Sequence, residues 1–81
     1  MYYVYILKSL NKDSYYVGYT KNIYQRLLRH NIGEMKSTKA SAPYKVIHFE
    51  EFETRSKAMR REQQIKSYKG GDAFRKLIVR A

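Results

Sequence analysis

The 81-residue sequence predicts an α+β fold: a small, three-stranded, mainly antiparallel sheet flanked by helices, in the order ββαβαα. Three observations carry this. Two runs rich in β-branched, aromatic and aliphatic residues, 2–7 and 15–19, are separated by the turn-forming Asn11, Lys12, Asp13 and Ser14. A third such run occupies residues 44–52. Around it lie stretches that begin with helix-capping residues and end at glycines.

The elements follow in order. The first two runs form a hairpin. With a four-residue loop from Asn11 to Ser14, Leu10 pairs with Tyr15 and Tyr5 with Thr20. Asn22 then caps a helix over residues 23–32, with Ile23 and Leu27 on its apolar stripe and Gly33 at its C′ position. Residues 34–43 are polar and small and read as a loop. After the third strand, Thr54 caps a second helix that runs to about Lys69, where Gly70 and Gly71 break it. Asp72 opens a last helix reaching about Val79, an acidic start that suits the helix dipole. The length fits a single domain over residues 1–81, near the lower limit for a core without staples. The chain has no cysteine, which excludes disulfides and thiolate metal sites. No run has the length of a membrane span, and the expectation is a soluble, cytoplasmic protein.

Charge narrows the partner. Seventeen Lys+Arg against seven Asp+Glu give a formal charge of +10 on a small body. That excess favours a polyanion, nucleic acid first. A membrane surface would call for a long basic amphipathic helix with an aromatic face, which the sequence lacks.

Several polar residues interrupt the burial pattern. In the second helix Ala58, Met59 and Ile65 define an apolar side, and Glu62 falls between Ala58 and Ile65. A carboxylate there needs a partner: a metal ion, or an arginine from another element. In the first helix Arg26 and His30, one turn apart, share a face beside Ile23 and Leu27. Arg26 suits a bidentate grip on phosphate and His30 a proton transfer near neutral pH, although a solvated helix face would present the same pattern. In the hairpin, alternation sets Tyr5 and Tyr16 on one face, and Gly18 leaves a gap in it where a backbone or ligand could approach. Lys21, Arg29, Lys36 and Lys39 are candidate contacts to a phosphate backbone.

These residues together resemble the GIY-YIG nuclease superfamily, especially its small stand-alone bacterial members. The two strand motifs read Tyr3-Val4-Tyr5 and Tyr16-Val17-Gly18. The stretch from Gly18 and Thr20 through Arg26, His30 and Asn31 has the family's spacing, and Ala58-Met59-Arg60-Arg61-Glu62 resembles the segment that delivers its glutamate. The likeness covers residues 2–69. The first motif begins with Tyr3 where the family name has glycine, and valine stands for isoleucine in both. Some members also use an asparagine beyond the glutamate helix, a region held here by Ser67 and Lys69.

The resemblance implies a phosphodiester hydrolase acting on DNA, selective for structure rather than sequence, in a setting such as DNA repair. In it, Glu62 would hold one Mg²⁺ or Mn²⁺, Arg26 would hold the scissile phosphate, and Tyr5 would take a proton from the attacking water. His30 would accept that proton and Tyr16 would orient water or phosphate. The competing reading is a non-catalytic nucleic-acid-binding module of the same fold, whose tyrosine-rich sheet face stacks bases.

Overall fold

The computed structural model describes residues 1–35 and 39–79. Three strands, β1 (Tyr2–Ser9), β2 (Tyr15–Thr20) and β3 (Tyr44–Phe52), form one sheet in the order β2-β1-β3, antiparallel throughout. Among the described residues three helices accompany it: α1 (Ile23–Asn31), α2 (Arg55–Ser67) and α3 (Asp72–Val79). This is the α+β arrangement predicted. Among the described residues no helix is long and apolar enough to cross a membrane.

The central strand explains the layering. Val4, Tyr5, Ile6 and Leu7 are consecutive and all buried, which an alternating strand allows only when both sheet faces are covered. Val4 and Ile6 pack with Ala58 and Ile65 of α2 and Phe74 of α3. Tyr5 and Leu7 pack on the other face with Tyr44, Ile23 and Leu27, beneath α1. Each fully buried aliphatic side chain contributes roughly 1.5–3 kcal/mol, so the central strand alone makes a large share of a small core.

The hairpin register differs from the sequence expectation by two residues. Tyr5 lies opposite Gly18, not Thr20, and Tyr15 opposite Lys8, not Leu10. The cause is Ser9, whose hydroxyl accepts from the amides of Asn11 (3.1 Å) and Lys12 (3.0 Å) and starts the turn early. The Ser9 amide donates to Ser14 O at 3.0 Å, and Leu10 leaves the ladder to donate to Pro43 O. A slip of two preserves the side-chain faces, so Tyr5 and Tyr16 still point the same way.

Caps hold the helices where the sequence sets them. Asn22 Oδ1 accepts from the Gln25 amide, and Thr54 Oγ1 from the Lys57 amide. Gly33, at φ +78°, closes α1 in the left-handed region that favours glycine. Asn31, at the end of α1, clasps the first residue of β3 from both sides: its Nδ2 donates to Tyr44 O (3.2 Å), and the Tyr44 amide donates to its Oδ1 (2.7 Å). On the opposite face Arg61 of α2 forks onto Glu50 of β3, with Nε at 2.8 Å from Oε1 and Nη2 at 3.0 Å from Oε2. His48 adds a 2.8 Å contact to the same carboxylate. Burial pushes the Glu50 carboxyl up, but Arg61 and His48 outweigh it and hold it below the usual range. Met59, expected on the apolar side of α2, is 42% exposed. It stands about 100° around the helix from Ala58, outside the narrow arc that Ala58, Glu62 and Ile65 bury.

Gly18 is a fixed point of this packing. A Cβ there would sit 2.8 Å from Tyr5 Oη and 3.0 Å from the Tyr16 ring. Gly18→Ala is expected to cost about 1–3 kcal/mol by overpacking, lowering the melting temperature by about 4–8 °C per kcal/mol in a domain of this size. A thermal melt followed by circular dichroism checks this, and a melting temperature equal to the parent's would show that the tyrosines shift freely.

Candidate active site

The gap that Gly18 leaves is filled from within. Tyr5, on β1, projects its phenol into it beside the Tyr16 ring, with ring centroids 6.2 Å apart. From the last turn of α1, His30 inserts behind both. It is fully buried, its ring centroid 4.6 Å from that of Tyr16, 6.3 Å from Tyr5 and 5.9 Å from Tyr44. A solvated helix face is thereby excluded for His30. Its Nε2 lies 3.4 Å from Tyr5 Oη, the arrangement in which an unprotonated ring nitrogen accepts from a phenol.

Electrostatics keeps both partners neutral. Burial pushes the Tyr5 phenol well above its ordinary value, and Tyr16 and Glu62 add to this while Arg26 opposes it. Burial, helped by Arg26, holds the His30 imidazole below its ordinary value of 6.5. At neutral pH the pair is therefore a phenol facing a neutral imidazole.

In front of this pair opens a cleft of about 590 Å³, lined by Tyr5, Tyr16, Arg26 and Glu62 together with Lys21, Tyr19 and Arg55. Three cations and one carboxylate face the opening. Arg26, one turn before His30 on α1, makes no ion pair among the described residues. Glu62 descends from α2 and is 8% exposed. The expected alternative, a salt bridge to an arginine of another element, is not found among the described residues. Its neighbours are Lys66 of the same helix (Nζ to Oε1, 3.5 Å) and Gln63 (Nε2 to Oε1, 3.5 Å), both long contacts. Among the described residues the arginine that pairs with a carboxylate is Arg61, and its partner is Glu50.

Among the described candidates for backbone contact, Lys21 alone lines the cleft. Arg29 is exposed on α1 outside it, and Lys39 lays its aliphatic stem against Gly33. Lys36 lies outside the described residues. Sequence reasoning missed Tyr19 and Arg55, where Arg55 Nε donates to Tyr19 Oη at 3.2 Å with the guanidinium 5.9 Å from the ring centroid. A signal was present: Arg55 is a cation in the first turn of α2, against the helix dipole, and such a residue has a reason to be elsewhere than in a generic first turn.

A hard divalent cation fits this donor set. Glu62 offers a carboxylate in the cleft with only long contacts, and phosphate oxygens and waters can complete the six-oxygen shell that Mg²⁺ takes. No group of three or more His, Cys, Asp or Glu gathers among the described residues, so any such ion would lean on its substrate for ligands.

Comparison with known proteins gives the family. The model of the GIY-YIG catalytic domain matches residues 1–72. The chain is 46% identical over 67 residues to a UPF0213 protein of Haloquadratum walsbyi, covering 82% of this chain and 74% of that one. It is 47% identical over 75 residues to a UPF0213 protein of Listeria welshimeri, covering 89% and 82%. A solution NMR structure of a UPF0213 protein from Bacillus halodurans is 31% identical, with a TM-score of 0.48 over 89% of this chain and 88% of that one. With its two tyrosine motifs on neighbouring strands and its glutamate on the helix beyond them, the chain belongs to the GIY-YIG catalytic domain family.

Proposed function

We propose that this protein is a metal-dependent endonuclease that hydrolyses phosphodiester bonds in DNA, selecting its target by structure rather than sequence. One observation carries the reading: Tyr5, Tyr16, Arg26 and Glu62, from four different elements, line one open cleft, with His30 buried against the Tyr5 hydroxyl. A binding surface needs the cations. It has no use for a carboxylate among them or for a phenol–imidazole pair behind them.

The residues divide the work. Arg26 holds the scissile phosphate, with Lys21 and Arg55 on flanking backbone. Water attacks phosphorus and the bond to the leaving oxygen breaks. The water proton passes to Tyr5 Oη as the phenol proton passes to His30 Nε2. Because burial disfavours the phenolate, this relay works as one motion in which Tyr5 is never left ionised, and the proton comes to rest on His30 as imidazolium. Tyr16 orients the water or the phosphate. Glu62 would hold Mg²⁺ or Mn²⁺, which supplies neutralisation of the charge on the leaving oxygen.

Glu62→Gln tests the carboxylate. The variant is expected to lose Mg²⁺-dependent cleavage of labelled branched and single-stranded DNA by on the order of 10²–10³-fold, the cost of removing one charge-stabilising group. Its melting temperature is expected to stay within a few degrees of the parent's, because the ion-pair partner Lys66 is 48% exposed and remains solvated. A variant that cuts at the parental rate would refute the assignment.

Arg26→Ala is expected to reduce cleavage by a comparable factor while binding at low salt falls far less, since Lys21 and Arg55 remain in the cleft. Equal losses would make Arg26 a general anchor.

The buried imidazole sets a pH dependence. Its folded-state pKa lies below the ordinary 6.5, so protonation favours the unfolded chain. Stability is therefore full above about 6.5 and falls as pH drops through the depressed folded value. Cleavage shares this acid limb, because a protonated Nε2 accepts nothing. Melting temperatures and single-turnover rates across that window check both, and profiles flat through it would remove His30 from the relay.

A further inference from the structure

A second cavity, about 780 Å³, lies between α1 and β3 and nothing in the mechanism uses it. Its volume falls within the roughly 300–1,000 Å³ of small-ligand sites. Tyr24 and Leu27 of α1 and Tyr3, Val46 and Phe49 of the sheet line it. Two of the aromatics are anomalous for a folding role. Tyr24 is 86% exposed and Phe49 58% exposed, on opposite sides of the groove. The Tyr3 ring meets Phe49 edge-on, at 6.3 Å and 64°, and Tyr3 Oη donates to Glu51 Oε2 at 3.0 Å, so that wall of the groove is fixed.

The occupant is indicated by what joins this groove to the cleft. Lys21 lines both cavities. A ligand that reaches from one to the other passes a lysine, carries negative charge for the basic cleft, and ends in something flat and apolar for the aromatic groove. A nucleotide strand has that composition: phosphate for Lys21 and Arg26, and a base with a π-face for Tyr24 and Phe49. An apolar peptide would match the groove but has no claim on the cations beside it.

We propose that the groove between α1 and β3 stacks an unpaired nucleobase of the strand whose backbone occupies the neighbouring cleft. The proposal rests on the nucleic-acid reading above and gives it a substrate class. A base inside a duplex is paired and stacked and has no face to offer, so the groove selects flaps, loops, ends or single strands near the scissile phosphate. The base is recognised by stacking, which every base supports, and sequence preference is weak.

The test compares two single-stranded oligonucleotides of equal length, one normal and one abasic throughout, with a blunt duplex, by fluorescence anisotropy at low salt. The parent protein is expected to bind the base-bearing strand more tightly than the abasic one. Tyr24→Ala, at an exposed position outside the proposed relay and metal site, is expected to weaken the base-bearing strand on the order of 5- to 100-fold and to leave the abasic strand and the duplex unchanged. Phe49→Ala should do the same. Equal affinity of the parent for both strands, or equal weakening of both by the variants, overturns the stacking site while nucleic-acid binding stands. Self-association of the parent that Tyr24→Ala abolishes, with oligonucleotide affinity untouched, also overturns it and makes a second copy the occupant. Failure of the parent to bind any of the three ligands overturns the nucleic-acid reading itself.

Discussion

The burial of one phenol organises this molecule. Tyr5 sits on the central strand, where both sheet faces are covered, and is 2% exposed. A buried hydroxyl without a partner costs about 1–3 kcal/mol. The fold meets that demand from two directions. Gly18, directly opposite on β2, withholds a side chain so that the hydroxyl has room, and α1 delivers His30 Nε2 to it. For His30 to arrive, α1 must lie over this face with its last turn pointing inward. Asn31, the next residue, fixes that turn by clasping the start of β3. Tyr16 and Tyr44 complete the enclosure of the imidazole.

The same burial limits the chemistry available. Full transfer of the proton from Tyr5 to His30 would leave phenolate beside imidazolium in a poorly solvated pocket. Arg26 does not rescue that state, because its charge favours phenolate and disfavours imidazolium together. In the proposed relay, which takes one proton as it gives another, the phenolate never forms and only the imidazolium is left, so the pocket bears the burial of one ion instead of two.

The two neighbours Arg61 and Glu62 show how one helix serves both structure and site. Arg61 forks onto Glu50 and bolts α2 to β3, while Glu62, about 100° further around the helix, faces the cleft. Fixing the first orients the second. This division was only half legible in the sequence. Strand and helix spans were readable because capping residues, glycines and apolar runs agree at every boundary, and Glu62 stood out because helical phase put a carboxylate in an apolar arc. Its partner was not readable, since a phase gives a direction and no neighbour. The hairpin register escaped by two residues because a serine hydroxyl, not the Asn-Lys-Asp-Ser segment, starts the turn; the site survived because faces repeat every two. The partner of Arg55 and the α1–β3 groove were not readable for a further reason. Both depend on which exposed residues of distant segments come to lie side by side, and exposure leaves no periodic mark.

Lys21 stands where these strands of argument meet. It occupies the single position between the last residue of β2 and the cap of α1. Thr20 Oγ1 accepts from the Asn22 amide at 3.2 Å, and Asn22 Oδ1 accepts from the Gln25 amide at 3.1 Å. Two side-chain caps thus bracket the lysine, so the backbone carrying it is as fixed as the strand before it and the helix after it. Its Nζ lies 5.2 Å from the Tyr2 ring centroid, on the rim of the cleft, while its neighbours Asn22 and Ile23 turn into the groove. On the reading proposed above, a cation on a rigid junction between a polar cleft and an apolar groove is a register mark for a nucleotide strand: it sets how far along the backbone an unpaired base lies from the phosphate that Arg26 would hold, and structure selectivity follows from local capping chemistry.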